Sequence, residues 1–251
     1  MNNKLKIAVS QFPVSTSITE NMSYIIKHTK KAAQSKADAI HFPELSLSGY
    51  ETNILEIDWS AIRQSIESLK NLAKELHINI IIGVHKESDD ASKPFNITCL
   101  ITSEGNVVGH YIKSRLYGKE EERFSSKENT FVYNINGVKC GFLICYDSNF
   151  PALFTAYRKL GVEVLFLSFY NANSSKPKNS MDELMRAQFI TRSTDNLMYI
   201  SGSNSSAHYS RMPSSFVCPD GTIISLPRHK SGILICDYPK VDLGWTFTKG
   251  T

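Results

Sequence analysis

KCGFLICYDSNFPALFTAYRKLGVEVLFL, residues 139–167, decides the class of fold. Residues 139–145 form a short, almost wholly apolar run of the kind that makes a buried strand. Residues 146–150 are a polar turn. From 151 to 160, Arg and Lys interrupt the apolar positions at helical spacing, and 162–167 is apolar again. Strand, turn, helix and strand in succession mark an α/β chain.

The same alternation extends outward. Further strand-like runs occupy 6–12, 37–42, 78–84, 97–102, 130–135, 197–203, 214–218 and 232–238, and helical spacing recurs near 18–35, 57–76 and 180–195. Turn signals at Glu104-Gly105-Asn106 and Asn136-Gly137 add hairpins, so parallel and antiparallel pairing are both expected. Residues 32–50 and 157–173 each run helix end, small residue, acid, strand, polar segment. Two pseudo-symmetric halves would explain this, as would the general likeness of βα units. No linker interrupts the chain, and one domain over 1–251 is expected.

Composition excludes several classes. The chain has 251 residues, 41% of them apolar, with 13 Gly and 9 Pro, so it is neither disordered nor of low complexity. The net charge of +4 is scattered, which argues against a nucleic-acid footprint. The first residues lack the apolar core of a signal peptide, and no run is long enough to span a membrane. Five cysteines, at 99, 140, 145, 218 and 236, contain no C-x-x-C pair; an odd count fits neither a disulfide framework nor a zinc site, and a reducing cytoplasm is expected. The N-x-[ST] sequons at Asn21, Asn96, Asn173 and Asn204 are then chance matches.

Three residues stand where strands end. Cys145 closes the run 139–145 and enters a polar turn and a helix, where outward-pointing amides would favour a thiolate. Glu44 follows the strand-like run 37–42 in AIHFPELSLSGY, and Lys113 follows VVGHYI. A thiol, a carboxylate and an ammonium at one sheet edge would supply a nucleophile, a base and an oxyanion partner.

FPELSLSGY (42–50), YIKSRLYGKEEERF (111–124) and GFLICYDSNFP (141–151), in that order, resemble the Glu, Lys and Cys signatures of the nitrilase superfamily of carbon–nitrogen hydrolases. GVEVLFLSFYNAN (161–173), MRAQFITRSTDNLMYISGSNSS (185–206) and SSFVCPDGTII (214–224) resemble its downstream segments, so the likeness runs from about residue 5 to 238. It implies a four-layer α-β-β-α sandwich of two mixed sheets packed face to face, paired as a homodimer across the helices. It also implies catalysis by Glu44, Lys113 and Cys145 without metal or organic cofactor. A second active-site Glu is best matched by Glu122, next to Glu120 and Glu121. Tyr146, through its backbone N–H, with Tyr50 and Asn171, would bind substrate or oxyanion.

The triplet Cys145-Tyr146-Asp147 is similar to those of amidases and carbamoyl hydrolases, so a small ω-amide is the expected substrate, with an N-carbamoyl amine as the alternative. Ala152, Thr155 and Arg115 depart from the usual residues at their positions, which leaves open a degenerate member that binds without turnover. A Cys145–His pairing using His208 or His229 is the competing chemistry. Arg115 or Lys176 could meet a substrate carboxylate. No nucleic-acid or membrane partner is expected.

Overall fold

The computed structural model describes residues 4–88, 93–172 and 182–239. Strand β1 (Leu5–Gln11) is followed by helix α1 (Ile18–Gln34), the short β2 (Ala39–His41), α2 (Trp59–Leu76) and β3 (Asn79–Lys86). Two further strands, β4 (Phe95–Ile101) and β5 (Val107–Ile112), complete this half. After the one-turn helix α3 (Glu120–Arg123) come β6 (Val132–Ile135) and β7 (Val138–Ile144). The second half continues with α4 (Pro151–Lys159), β8 (Val164–Phe169), α5 (Asp182–Asn196), β9 (Tyr199–Asn204), β10 (Ser215–Val217), β11 (Ile223–Ser225) and β12 (Gly232–Tyr238).

The strands make two six-stranded sheets, β12-β1-β2-β3-β4-β5 and β11-β10-β9-β8-β7-β6. In the first, β1, β2 and β3 are parallel while β12, β4 and β5 run antiparallel to their neighbours. The second repeats this pattern with β7, β8 and β9 parallel and β6, β10 and β11 antiparallel. Residues 32–50 and 157–173, alike in sequence, thus enclose β2 and β8, the central strands of two topologically equivalent halves. The β6–β7 turn is Asn136-Gly137, with both residues at positive φ, the geometry that a two-residue hairpin requires.

The period of two along each strand divides the side chains between layers. In β1, Leu5, Ile7 and Val9 join the cluster between the sheets with Phe142, Phe166 and Tyr199. Ala8 of the same strand faces the other way, with Ile40, Ile80 and Ile82, toward Ile25 and Ala32 of α1 and Leu69 and Ala73 of α2. Phe154 and Tyr157 of α4 and Phe189 of α5 cover the second sheet. The expected four layers are present.

A buried histidine bridges the two sheets through the core. His41 of β2 is fully buried, its ring nitrogens 2.9 Å from Ser168 Oγ of β8 and Ser201 Oγ of β9. Burial pushes its pKa down to about 3, so the imidazole is neutral and can satisfy both hydroxyls. His41 therefore ties the carboxyl ends of the two equivalent strands, three residues before Glu44.

The segment after β2 lies against the backbone of β3. A Cβ on Gly83 would stand 2.3 Å from Leu45 N, 2.6 Å from Pro43 O and 2.9 Å from Glu44 C. Gly83→Ala is therefore expected to destabilise the fold by about 1–3 kcal/mol, as overpacking does, measured as a lowered urea midpoint. Gly232→Ala, whose Cβ would meet nothing nearer than 3.8 Å, is the control and should stay within about 0.5 kcal/mol of wild type.

Candidate active site

The carboxyl ends of β2 and β8 meet at Glu44. Its N–H donates to the Phe169 carbonyl at 3.2 Å, and Tyr170 N–H donates to its Oε2 at 2.8 Å. Asn96 of β4, also fully buried, donates from Nδ2 to Oε1 at 2.8 Å. Leu45, the next residue, lies in the left-handed region at φ 47°, which turns the chain sharply and leaves the Glu44 side chain in the interior.

Lys113 leaves the end of β5 held to β4 by its N–H to the Asn96 carbonyl at 2.9 Å. Its ammonium is fully buried, 2.7 Å from Glu44 Oε1 and 2.6 Å from Glu120 Oε1. An ammonium has three N–H donors, and the two carboxylates take two. Burial by itself would depress the Lys113 pKa, but the charges of Glu44, Cys145 and Glu120 outweigh it and hold the group above its ordinary value. Lys113 is charged throughout the working range of pH.

Cys145 follows β7 directly and begins a 3-10 turn, Cys145–Asn149, that leads into α4. At φ 48° it is another non-glycine residue in the left-handed region, a conformation costing about 1–2 kcal/mol. Asp147 fixes this turn: its buried carboxylate accepts the N–H groups of Ile144 and Arg115 at 3.0 and 2.9 Å and the Tyr111 hydroxyl at 3.0 Å. One side chain thus clamps the turn that begins with Cys145 to the segment carrying Lys113. The Glu44 carboxylate, the Lys113 ammonium and Glu120 all act electrostatically on the Cys145 thiol.

The local pull of the turn amides toward a thiolate is outweighed here. Burial first, and then the Glu44 charge, push the Cys145 thiol well above the ordinary cysteine value, with Lys113 only partly compensating. Burial likewise raises the Glu44 carboxyl, against the opposing effect of Lys113. A thiol beside a carboxylate of raised basicity suits proton transfer during attack better than prior ionisation.

A correction concerns the second glutamate. Glu122 is exposed; the carboxylate that reaches Lys113 belongs to Glu120, 3% exposed. At about 100° per helical residue, Glu120 and Glu122 point to nearly opposite sides of α3. Glu120 shares its side with Phe124, one turn on and also buried, and that apolar anchor is the signal that would have selected it. Its Oε1 also accepts the Tyr50 hydroxyl at 2.7 Å and its Oε2 the Tyr117 N–H at 2.6 Å.

Tyr50 therefore joins the cluster through Glu120. The Tyr146 ring lies between Tyr117 and Phe150, tilted to the first and edge-on to the second, with centroids at 5.1 and 5.4 Å. Asn171 sits one residue beyond Tyr170, but its backbone is what the structure engages: its N–H donates to Asn204 Oδ1 and its carbonyl accepts the Arg211 N–H, both at 2.9 Å. His208 and His229 stack on each other at 4.8 Å, while the charged groups acting on Cys145 are Glu44, Lys113 and Glu120; the Cys–His chemistry has no support. Lys176 and Asn173 lie outside the described residues. Asn21, Asn96 and Asn204 are fully buried and unfit for glycosylation.

The sequence model of the family described as carbon–nitrogen hydrolase matches residues 6–244. A probable nitrilase of Schizosaccharomyces pombe is 31% identical over 152 residues, which are 58% of this chain and about half (54%) of that protein. An omega-amidase of Xenopus tropicalis is 27% identical over 249 residues, 93% of this chain and 88% of that protein. Among solved structures, an amidase of the nitrilase superfamily from Nesterenkonia superposes with a TM-score of 0.83 at 20% identity, covering 94% of this chain and 91% of that one. A mutant of that amidase carries the acetamide moiety of fluoroacetamide covalently at its active-site cysteine.

The electrostatics make a prediction with a definite sign. Because the Glu44 charge raises the Cys145 thiol, Glu44→Gln should lower the thiol pKa. The expected result is an ultraviolet thiolate absorbance that appears at lower pH than in wild type and is absent in Cys145→Ala.

Proposed function

The chain belongs to the carbon–nitrogen hydrolase family, and on that premise we propose that it hydrolyses a small ω-amide through an acyl thioester on Cys145. The observation that carries this reading is one buried carboxylate, Glu44, paired with the Lys113 ammonium at 2.7 Å and acting on the Cys145 thiol.

The steps follow from those contacts. An amide resists water because its carbonyl is resonance-stabilised and its nitrogen leaves poorly. As Cys145 Sγ attacks the carbonyl carbon, Glu44 takes the thiol proton. The oxyanion is held by the third N–H of Lys113 and by the Tyr146 N–H, at the start of a helical turn where backbone donors have no helical partner. Protonated Glu44 then gives its proton to the departing nitrogen as the C–N bond breaks, leaving the acyl group on sulfur. Water deprotonated by Glu44 attacks the thioester, and the thiol leaves with that proton as the acid is released. Glu120 keeps the ammonium in place through both halves. The residues supply nucleophile, base and oxyanion site by themselves.

The departures from the family pattern lie beside this cluster. Ala152 and Thr155 are on the exposed side of α4, and Arg115, whose N–H binds Asp147, directs its guanidinium to Glu128 at 2.6 Å. They leave the proton path intact, which supports turnover over binding alone. The ω-amide class rests on the full-length likeness to an omega-amidase and on the Cys145-Tyr146-Asp147 triplet. Action in the cytoplasm, as a homodimer of single-domain subunits, accords with the family resemblance and with five cysteines that form no disulfide. Among the described residues no helix is long and apolar enough to cross a membrane.

Ammonia release from small amides, ω-amidated dicarboxylic acids, N-carbamoyl amines and nitriles tests the reading. Turnover of the ω-amides is expected. Cys145→Ala and Glu44→Gln should abolish it, Lys113→Met should cost about 10²–10³-fold or more in kcat, as loss of an oxyanion donor does, and His208→Ala should be neutral. Turnover confined to carbamoyl substrates or nitriles would reassign the substrate, and activity retained in Cys145→Ala would overturn the mechanism.

A further inference from the structure

The cluster described so far leaves one charged side chain without a role. Arg123, the last residue of α3, donates from its guanidinium to the carbonyls of Tyr50 and Thr52, the latter at 3.3 Å. The same group lies over the Tyr50 ring at 5.2 Å and over the Phe124 ring at 5.0 Å. Tyr50 in turn stacks on Tyr170 with centroids 4.6 Å apart and planes 13° from parallel. Guanidinium, Tyr50 and Tyr170 thus form a continuous stack across three segments: α3, the turn after Gly49 and the exit of β8.

Both tyrosines of this stack reach a carboxylate. The Tyr50 hydroxyl donates to Glu120 Oε1, the same oxygen that holds Lys113. The Tyr170 N–H donates to Glu44 Oε2, while Lys113 takes Oε1. Two carboxylates compete for one ammonium, and the balance depends on how much of each carboxylate charge its other donors absorb. If Tyr50 withdrew, Glu120 Oε1 would keep Lys113 as its strongest partner. The ammonium would shift toward Glu120 and away from Glu44 and the oxyanion.

We propose that Arg123 is a positioning residue that acts through Tyr50 to hold the Lys113 ammonium balanced between Glu44 and Glu120. Its planar fork suits the task, since it binds two carbonyls while stacking on a ring, which a lysine cannot reproduce. The proposal rests on the reading of Cys145, Glu44 and Lys113 as the reacting groups, and it adds a residue that touches none of the reacting atoms.

The charged and titratable groups facing this part of the site are Glu44, Glu120, Lys113 and Cys145, together with Tyr50 itself. His85, beside Arg123, has its pKa pushed down to about 3, first by burial and then by that guanidinium, and stays neutral. Glu51 bears on Tyr170. A loss of Lys113 from Glu44 raises the Glu44 pKa further, so the acid limb of kcat/KM must move to higher pH.

The test compares wild type with Arg123→Leu, Arg123→Lys, Tyr50→Phe and the Arg123→Leu/Tyr50→Phe pair. Two profiles are read against pH: amide turnover, and alkylation of Cys145 by iodoacetamide, which needs no substrate. Tyr50→Phe keeps the ring stack and removes only the hydroxyl, so it serves where Arg123→Leu fails to fold. Each single variant is expected to lower kcat by about tenfold to a hundredfold, the scale of a small misplacement of a reacting group, with less change in KM. In each the acid limb moves upward. The pair should be no worse than the poorer single variant, and Arg123→Lys should not restore wild-type behaviour. Additive losses, rescue by Lys, or a lowered Tm with both pH profiles unmoved would overturn the proposal. Failure of the hydrolase reading would look different: wild type itself would be silent on amides.

Discussion

An ammonium with no exposure to water sits between two buried carboxylates, Glu44 and Glu120, at 2.7 and 2.6 Å. Removing such charges from water costs several kcal/mol each, and only tight pairing with further hydrogen bonds repays it. Every oxygen of the two carboxylates is accordingly bonded. Asn96 and Lys113 take Glu44 Oε1, Tyr170 N–H takes its Oε2, and Tyr50, Lys113 and Tyr117 N–H complete Glu120. Deleting one partner would leave uncompensated buried charge, so the site and the fold around it stand together. With one cation facing two carboxylates, the net charge beside Cys145 works with burial to hold its thiol above the ordinary cysteine value.

The two-sheet architecture makes this arrangement attainable. Glu44 and Cys145 come from different sheets, and each follows the end of a parallel strand. The equivalence of β2 and β8 brings the turn after one strand against the exit of the other, where Phe169 and Tyr170 grip Glu44 from both sides. His41, neutral between Ser168 and Ser201, fixes the relative position of those strands without adding a charge that would disturb the site. Asp147 does the corresponding work between β7 and the exit of β5. The left-handed residues Leu45 and Cys145 carry the local strain on which the inward aim of both reactive side chains depends.

Much of this is legible in the sequence. Four of the helices appear at the expected places because their apolar periodicity is strong, and the strand-like runs are off by no more than a few residues; β11, three residues long, has no run of its own. Glu44, Lys113 and Cys145 could be chosen because each follows an apolar run, where side chains emerge at a sheet edge. The α3 turn escapes periodicity, being four residues long, and three consecutive glutamates hide which one faces inward; only pairing Glu120 with Phe124 resolves it. Asn96 resembles a glycosylation sequon in sequence and is in fact a donor to Glu44. The thiol's protonation state is illegible for a deeper reason. Local turn amides favour a thiolate, but burial and a carboxylate from the other sheet decide the outcome, and no local pattern encodes either.

The central claim is that Cys145 carries the acyl group, so the most direct measurement is the mass of the Cys145-containing peptide after rapid acid quench during turnover of a small amide. The account predicts an added mass equal to the acyl group on that peptide, absent in Cys145→Ala. Sustained turnover with an unmodified Cys145, or an acyl group found on another residue, would contradict it.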